Sequence, residues 1–172
     1  MTAPFLEWLK AIGPLVLGGA VFFAAWWFQR WQVSLAKQKL RHDLYERRFA
    51  IYTAFCDLLV ALPEKNDEEI KAVCRRADIA RLQAPFLLYQ EPELEAYLER
   101  ICEQVKSEVI SNIMFIDSIR GHAGMMSDPD VNRDFVQRVG LLGAAKLDLP
   151  NRHLPQLSRH FAKLLRLTDF SK

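Results

Sequence analysis

The sequence is poor in the features that mark a catalytic or metal centre. It contains 3 cysteines and 4 histidines in 172 residues, and these form neither an H-E-x-x-H nor a C-x-x-C pattern. It also lacks a glycine-rich phosphate loop and a G-x-S-x-G elbow. We therefore predict no catalytic residue, no metal site and no cofactor, and we expect the chain not to be an enzyme.

An excess of one charge sign is also missing. The 23 basic and 21 acidic residues leave a formal net charge of +2, which is too mild and too evenly mixed to indicate a nucleic-acid partner. The odd number of cysteines, Cys56, Cys74 and Cys102, argues against a secreted domain, because secreted domains more often carry paired cysteines. We expect reduced cysteines in a helical core.

Charge is absent altogether from Ala11 to Gln29. As a helix, these nineteen residues would cover roughly 28 Å, close to the ~30 Å hydrocarbon core of a bilayer. All 4 tryptophans lie in the first 31 residues and flank this run, as interfacial residues do. We therefore predict one transmembrane helix at 11–29. Its membrane-interface candidates are Trp8, Trp26, Trp27, Arg30 and Trp31.

Two alternatives to this anchor stay open, a buried helix of a soluble domain and a cleaved signal peptide. Gly18 and Ala20 are small enough for a weak cleavage site. The apolar character continues past Ala20 through Phe28, which favours an uncleaved anchor.

The distribution of basic residues predicts the orientation of the anchor. Lys10 is the only basic residue before the run, whereas basic residues are frequent after it. By the positive-inside rule, residues 1–10 form a short external N-terminus and residues 30–172 a cytoplasmic domain at a bacterial inner membrane. The basic residues after the run are Arg30, Lys37, Lys39, Arg41, Arg47 and Arg48.

Residues 30–172 show helical apolar spacing and no strand-like alternation, which predicts an all-α fold. We expect a helical hairpin or bundle of about four to five helices that continues from the transmembrane helix. Prolines and glycines divide the chain. We expect a first helix that runs to Leu62 before Pro63, a second from Asp67 as N-cap to before Pro85, and a third from Pro92 to near Gly121. After a loop at 121–130, two short helices should follow over 129–146 and 155–167, with Pro150 and Pro155 between them.

The first helix of this domain carries an unusually wide apolar arc. One stripe follows three-and-four spacing, and aromatic neighbours widen it. So wide an arc requires burial on more than one side, so either several helices of the same chain or another subunit cover it. The stripe comprises Leu40, Leu44, Ile51, Phe55, Leu58 and Leu62.

The most distinctive stretch is residues 39–52, Lys-Leu-Arg-His-Asp-Leu-Tyr-Glu-Arg-Arg-Phe-Ala-Ile-Tyr. It resembles the K-L-x-x-D-L-[FY]-x-[KR]-R-[FY]-x-[VI]-Y signature of a family of bacterial single-pass inner-membrane proteins without a known activity. The likeness continues more loosely at 86–89 with 97–98, and near 161–165. The resemblance implies an anchored all-α protein and adds no catalytic residue.

The same stretch supplies the candidate interaction and packing residues. Lys39, Asp43 and Arg47 are four apart and can form a charge ladder on one helix face. Arg47 and Arg48 flank the apolar stripe closely enough for partial burial, and a buried guanidinium needs a partner. We expect one of them to pair with Glu93 or Glu95, whereas a rival use of the basic residues is contact with anionic lipid. The full set of candidates is Lys39, Asp43, Tyr45, Arg47, Arg48, Phe49 and Tyr52.

The anchor, the wide apolar arc and the missing chemistry together indicate a binding protein. We expect a membrane-anchored cytoplasmic helical interaction or scaffold module whose partners are membrane lipid and another protein or a second copy. The alternative is a membrane-perturbing effector or sensor, in stress or phage defence, that acts by oligomerisation.

Overall fold

The computed structural model describes residues 3–89, 91–122 and 128–165, and the side chains among them from Leu17 onward. It confirms the predicted all-α class, since these residues form helices and no strand. A π-helical segment, Val105–Ile110, joins the third and fourth helices. The helices are α1 (Ala3–Glu64), α2 (Asp67–Leu87), α3 (Pro92–Gln104), α4 (Ser111–Arg120) and α5 (Pro129–Leu164).

The chain divides into two compact units, the first ending at Leu44 and the second starting at Tyr45. In the described part of the chain, no helix combines the length and apolar character that crossing a bilayer requires. The transmembrane helix predicted at 11–29 is therefore not supported. Its residues 11–16, together with Trp8, lie outside the described side chains.

The second unit has a single hydrophobic core to which all five helices contribute. The predicted stripe of α1 is confirmed from Ile51 onward, because Ile51, Phe55 and Leu58 are buried. Each such side chain contributes about 1.5–3 kcal/mol when it leaves water. At the other end of the stripe, Leu40 is exposed and Leu44 is half-buried.

Both ends of α2 differ by a few residues from the prediction. Asn66, not Asp67, is the N-cap, and its Oδ1 accepts a hydrogen bond from the Glu69 amide at 2.9 Å. The helix also continues through Pro85 to Leu87. A proline this close to the C-terminus removes only one intrahelical bond, and the continuation keeps Ala84 buried in the core.

The third predicted helix is confirmed over its whole length, with Pro92 in its first turn. It contains a feature that the pattern did not predict, the π-helical segment between α3 and α4. Next to this segment the buried side chain of Asn112 donates to the Glu108 carbonyl at 2.7 Å and accepts from Arg138 of α5 at 3.2 Å.

The prediction of two short helices after residue 128 is wrong, because α5 is one helix that contains Pro150 and Pro155. Each proline removes a backbone donor. A stripe at three-and-four spacing offsets that loss by packing one face of the helix into the core. The buried residues of this stripe are Leu142, Ala145, Leu149, His153, Leu157 and Phe161.

The loop predicted at 121–130 is shorter at its second end. Asp128 caps α5 by accepting from the Asp130 amide at 2.9 Å, and Pro129 is the first helical residue. Residues 123–127 lie outside the described residues, as do 166 and 167 of the last predicted helix.

Candidate functional site

The first unit exposes apolar and aromatic side chains in an unbroken series. We call residues 17–42 of α1 the aromatic segment. Phe22, Trp27 and Trp31 are 74%, 66% and 57% exposed. Neighbouring rings contact one another along the helix, as Phe23 and Trp26 do with centroids 5.8 Å apart. Exposed apolar surface on this scale marks a site of contact with protein or membrane.

The aromatic segment is also purely basic. It contains no aspartate or glutamate, whereas Arg30, Lys37, Lys39 and Arg41 lie within it. The Arg30 guanidinium lies 4.4 Å from the centroid of the Trp26 ring. Within this segment the positive charges therefore have no carboxylate, and their field is available to an anionic partner.

Three of the predicted interaction residues form an aromatic row in the second unit. Tyr45 stacks on Phe49 with centroids 6.1 Å apart, and Phe49 contacts Tyr52 at 6.0 Å. Tyr52 continues the row to the buried Phe161 of α5 at 5.2 Å, and its hydroxyl hydrogen-bonds Ser158 at 3.3 Å. The row therefore ties α1 to α5, and it stays accessible at Phe49, which is exposed, whereas Tyr45 at its outer end is half-buried.

Arg48 is the half-buried arginine of the signature, but its partner differs from the one predicted. Its Nε donates to the Leu87 carbonyl at 3.0 Å, and not to Glu93 or Glu95. Leu87 is the last residue of α2, so its carbonyl has no intrahelical donor and carries the negative end of the helix dipole. A backbone carbonyl in this position satisfies a guanidinium without a second buried charge.

The remaining charged candidates lie on the surface. Lys39, Asp43 and Arg47 are exposed, and among the described residues none of the three forms an ion pair with an opposite charge. The charge ladder that their spacing allows is thus not formed in the structure.

The outward side of α2 is a surface that the sequence reasoning missed. From Ala77 onward the helix buries small residues, Ala77, Ala80 and Ala84, and exposes larger apolar ones. We call Ile79, Leu82 and Phe86 the α2 outer face; Phe86 is 82% exposed. Their i, i+3, i+7 spacing is the signal in the sequence that indicates this face, and the buried alanines follow the same helical period.

The outward side of α5 is apolar as well. Val136, Val139 and Leu147 are exposed there, with Gly140 and Gly143 on the same side of the helix. A Cβ atom added at either glycine would meet nothing within 4 Å. Packing inside the described chain therefore gives no reason for glycine at these positions.

A groove of about 320 Å³ between α2 and the π-helical segment collects charged side chains. Lys106 donates to Asp78 at 2.6 Å, and Lys71, at the other end of the groove, donates to Asp117 at 2.8 Å. These hydrogen bonds raise the pKa of both lysines. Each of these two lysine charges is compensated by a carboxylate, which weakens the field that they offer to a charged ligand.

The titratable groups of the core are held in their neutral forms. Burial raises the pKa of the Cys56 and Cys74 thiols, and that of Cys102 to about 12, so all three are protonated and weakly nucleophilic at neutral pH. Burial and then Arg152 lower the pKa of His153, whose Nδ1 lies 3.0 Å from the Tyr97 hydroxyl. Among the described residues its Nε2 has no hydrogen-bond partner.

Searches against protein-family models, curated proteins and solved structures found no match for this chain. Function is therefore inferred from the surfaces of the chain itself. Three of these surfaces carry exposed large apolar side chains, namely the aromatic segment, the α2 outer face and the outward side of α5.

Proposed function

We propose that the chain is a non-catalytic interaction module, anchored to the bacterial inner membrane through its aromatic segment and binding another protein or a second copy through its helical domain. One observation carries the proposal. Large apolar side chains stay exposed in both units, including Ile79, Leu82 and Phe86 of α2, whereas the buried positions between them, Ala80 and Ala84, are small.

The anchor is supported by the continuity of the aromatic segment with the uncharged residues that precede it. The run from Ala11 to Gln29 contains no charge, and Trp26, Trp27 and Trp31 are placed at one end of it, where rings favour a membrane interface. Exposed rings are costly in water, and transfer to lipid removes that cost. The excess of basic residues after the run supports an outside N-terminus and a cytoplasmic helical domain.

The partner-binding role is supported by the α2 outer face. Ile79, Leu82 and Phe86 present three side chains that would each contribute about 1.5–3 kcal/mol on burial. Interfaces of this kind place aromatic and aliphatic anchors at their centre. The partner surface should therefore be apolar at its centre.

Fractionation of lysed cells without detergent tests the anchor. We expect the full chain in the membrane pellet, and Phe22→Asp to move much of it to the supernatant, because an acidic side chain near the centre of a span opposes insertion by about 2.5–3.5 kcal/mol. Phe86→Asp is the matched control, since it changes an equally exposed phenylalanine of the helical domain. A wild-type chain that stays in the supernatant would refute the anchor and the orientation together.

Cross-linking in cells, followed by size measurement in detergent, tests the partner. We expect a cross-linked species that Leu82→Ser with Phe86→Ser removes, whereas Val136→Ser on α5 keeps it. A lone monomer with no cross-linked partner would contradict the interaction module. The membrane-perturbing effector stays a prediction, and depolarisation on overexpression would favour it over the scaffold.

A further inference from the structure

The surface of the aromatic segment contains a groove that combines aromatic, polar and basic side chains on one helix face. We call it the tryptophan–arginine groove. It has a volume of about 460 Å³ and is lined by Trp26, Gln29, Arg30, Val33, Ser34 and Lys37. Steps of three and four residues keep these side chains on one side of α1.

From this groove we infer that the chain binds the phosphate headgroup of an anionic phospholipid, an inference that rests on the proposed membrane anchor. Arg30 and Lys37 supply the positive charge, and Gln29 and Ser34 supply neutral hydrogen-bonding groups in the same groove. A guanidinium matches two phosphate oxygens at once, whereas the lysine ammonium adds a point charge.

The position of Arg30 makes it the central group of the groove. Its guanidinium lies 4.4 Å from the centroid of the Trp26 ring, and this stacking restricts the side chain before any ligand binds. Lys37 follows about 10 Å further along the helix axis, a span that two long side chains can close around one headgroup. The described part of the aromatic segment holds no carboxylate that would compete for either cation.

Charge and apolar character together favour a lipid over a free anion. The groove continues into Val33 and Trp26, which suit the junction between headgroup and acyl chain rather than bulk water. Basic side chains next to a membrane anchor are attracted to anionic lipids, and this attraction falls off within a Debye length. Arg30 stacks on Trp26 and so lies within this range. Lys37 starts about 10 Å further along the helix axis and reaches back with its long side chain.

Tryptophan fluorescence of the full chain in phosphatidylcholine nanodiscs tests the inference. All 4 tryptophans lie in the first 31 residues, so the emission reports on this region without further substitution. Two samples are compared, in which a minor fraction of the lipid is either brominated phosphatidylglycerol or brominated phosphatidylcholine. The brominated acyl chains quench the fluorescence of nearby tryptophans. We expect stronger quenching by the brominated phosphatidylglycerol, because the groove enriches it next to Trp26.

Two single substitutions form a matched pair. Lys37→Gln and Lys39→Gln remove the same charge about 3 Å apart along the helix axis, but only Lys37 lines the groove. We expect Lys37→Gln, like Arg30→Gln, to lower the enrichment of phosphatidylglycerol about fivefold, and Lys39→Gln to keep most of it. Equal losses at Lys37 and Lys39 would overturn the groove in favour of general surface charge.

Two further results separate the remaining possibilities. Equal quenching by both brominated lipids in the wild-type chain would overturn the headgroup site and leave the anchor intact, whereas no quenching by either would refute the anchor and the site with it. The preference for phosphatidylglycerol should also be the same in inorganic phosphate buffer and in sodium chloride of matched ionic strength. Its loss in phosphate alone would assign the groove to a free anion instead.

Discussion

Replacing Arg48 by methionine should destabilise the helical domain, whereas the same change at Arg47 should not. Arg48 donates from Nε to the Leu87 carbonyl at 3.0 Å and is half-buried. Arg47 is exposed on the same turn of α1 and forms no ion pair among the described residues. Methionine keeps most of the apolar stem in both variants, so the comparison isolates the polar contact.

The expected magnitude follows from that contact. A hydrogen bond from a charged donor contributes about 1.5–3 kcal/mol, and partial exposure places Arg48 at the lower end of this range. We therefore expect Arg48→Met to lower the free energy of unfolding by about 1.5 kcal/mol and Tm by roughly 5 °C. Arg47→Met should stay within about 0.5 kcal/mol of the wild type.

Urea unfolding of the full chain in detergent, followed by circular dichroism, measures both variants under one condition. The slope against urea should not change, because the surface exposed on unfolding is the same. If Arg48→Met loses no more stability than Arg47→Met, the hydrogen bond from Arg48 to the Leu87 carbonyl does not stabilise the domain, and the prediction is refuted.

Three further predictions concern stability. Burial lowers the pKa of His153 below its ordinary 6.5, so on acidification the unfolded chain binds the proton before the folded chain does. The free energy of unfolding should therefore fall as the pH drops from about 8 to about 5.5. In urea titrations His153→Gln should flatten this pH dependence, and an unchanged dependence would contradict the prediction. Asn112→Ala should cost about 2 kcal/mol, measured by thermal unfolding, because the Glu108 carbonyl loses its 2.7 Å side-chain donor; a change under about 0.5 kcal/mol would refute this. Gly140→Ala and Gly143→Ala should each raise the free energy of unfolding by about 1 kcal/mol, since their new Cβ atoms meet nothing within 4 Å. A lower Tm for either variant would refute this.

The helical class and the long first helix were predictable because both depend on local spacing. Apolar residues from Ile51 to Leu62 recur every three or four positions, and burial follows that period. The ends of α2 were predicted only approximately, since Asn66 and Asp67 are both good N-caps and Pro85 removes a single bond. Local signals of this kind fix an element to within a few residues.

The errors arose where packing overrides a local signal. Pro150 and Pro155 predict a break, yet the core contacts of Leu149 and Leu157 on either side keep α5 continuous. The partner of Arg48 is a carbonyl, which any residue possesses, so no sequence pattern could single out Leu87. The α2 outer face was missed because alanine, isoleucine and leucine all count as apolar, although only the alanines are buried between Ala77 and Ala84.

The π-helical segment Val105–Ile110 holds one residue more than a regular α-helical turn would need, because its hydrogen bonds span five residues instead of four. Removing one residue there would let the segment close as α-helix and leave the residues of α4 on their present side. The same deletion within the regular turns of α4 would turn the residues after it by about 100°. A deletion at Ile113, for example, would place Met114 in that buried position and the carboxylate of Asp117 in the buried position of Ile116. Single-residue deletions should therefore be tolerated better in the wide turn than in the helix that follows it.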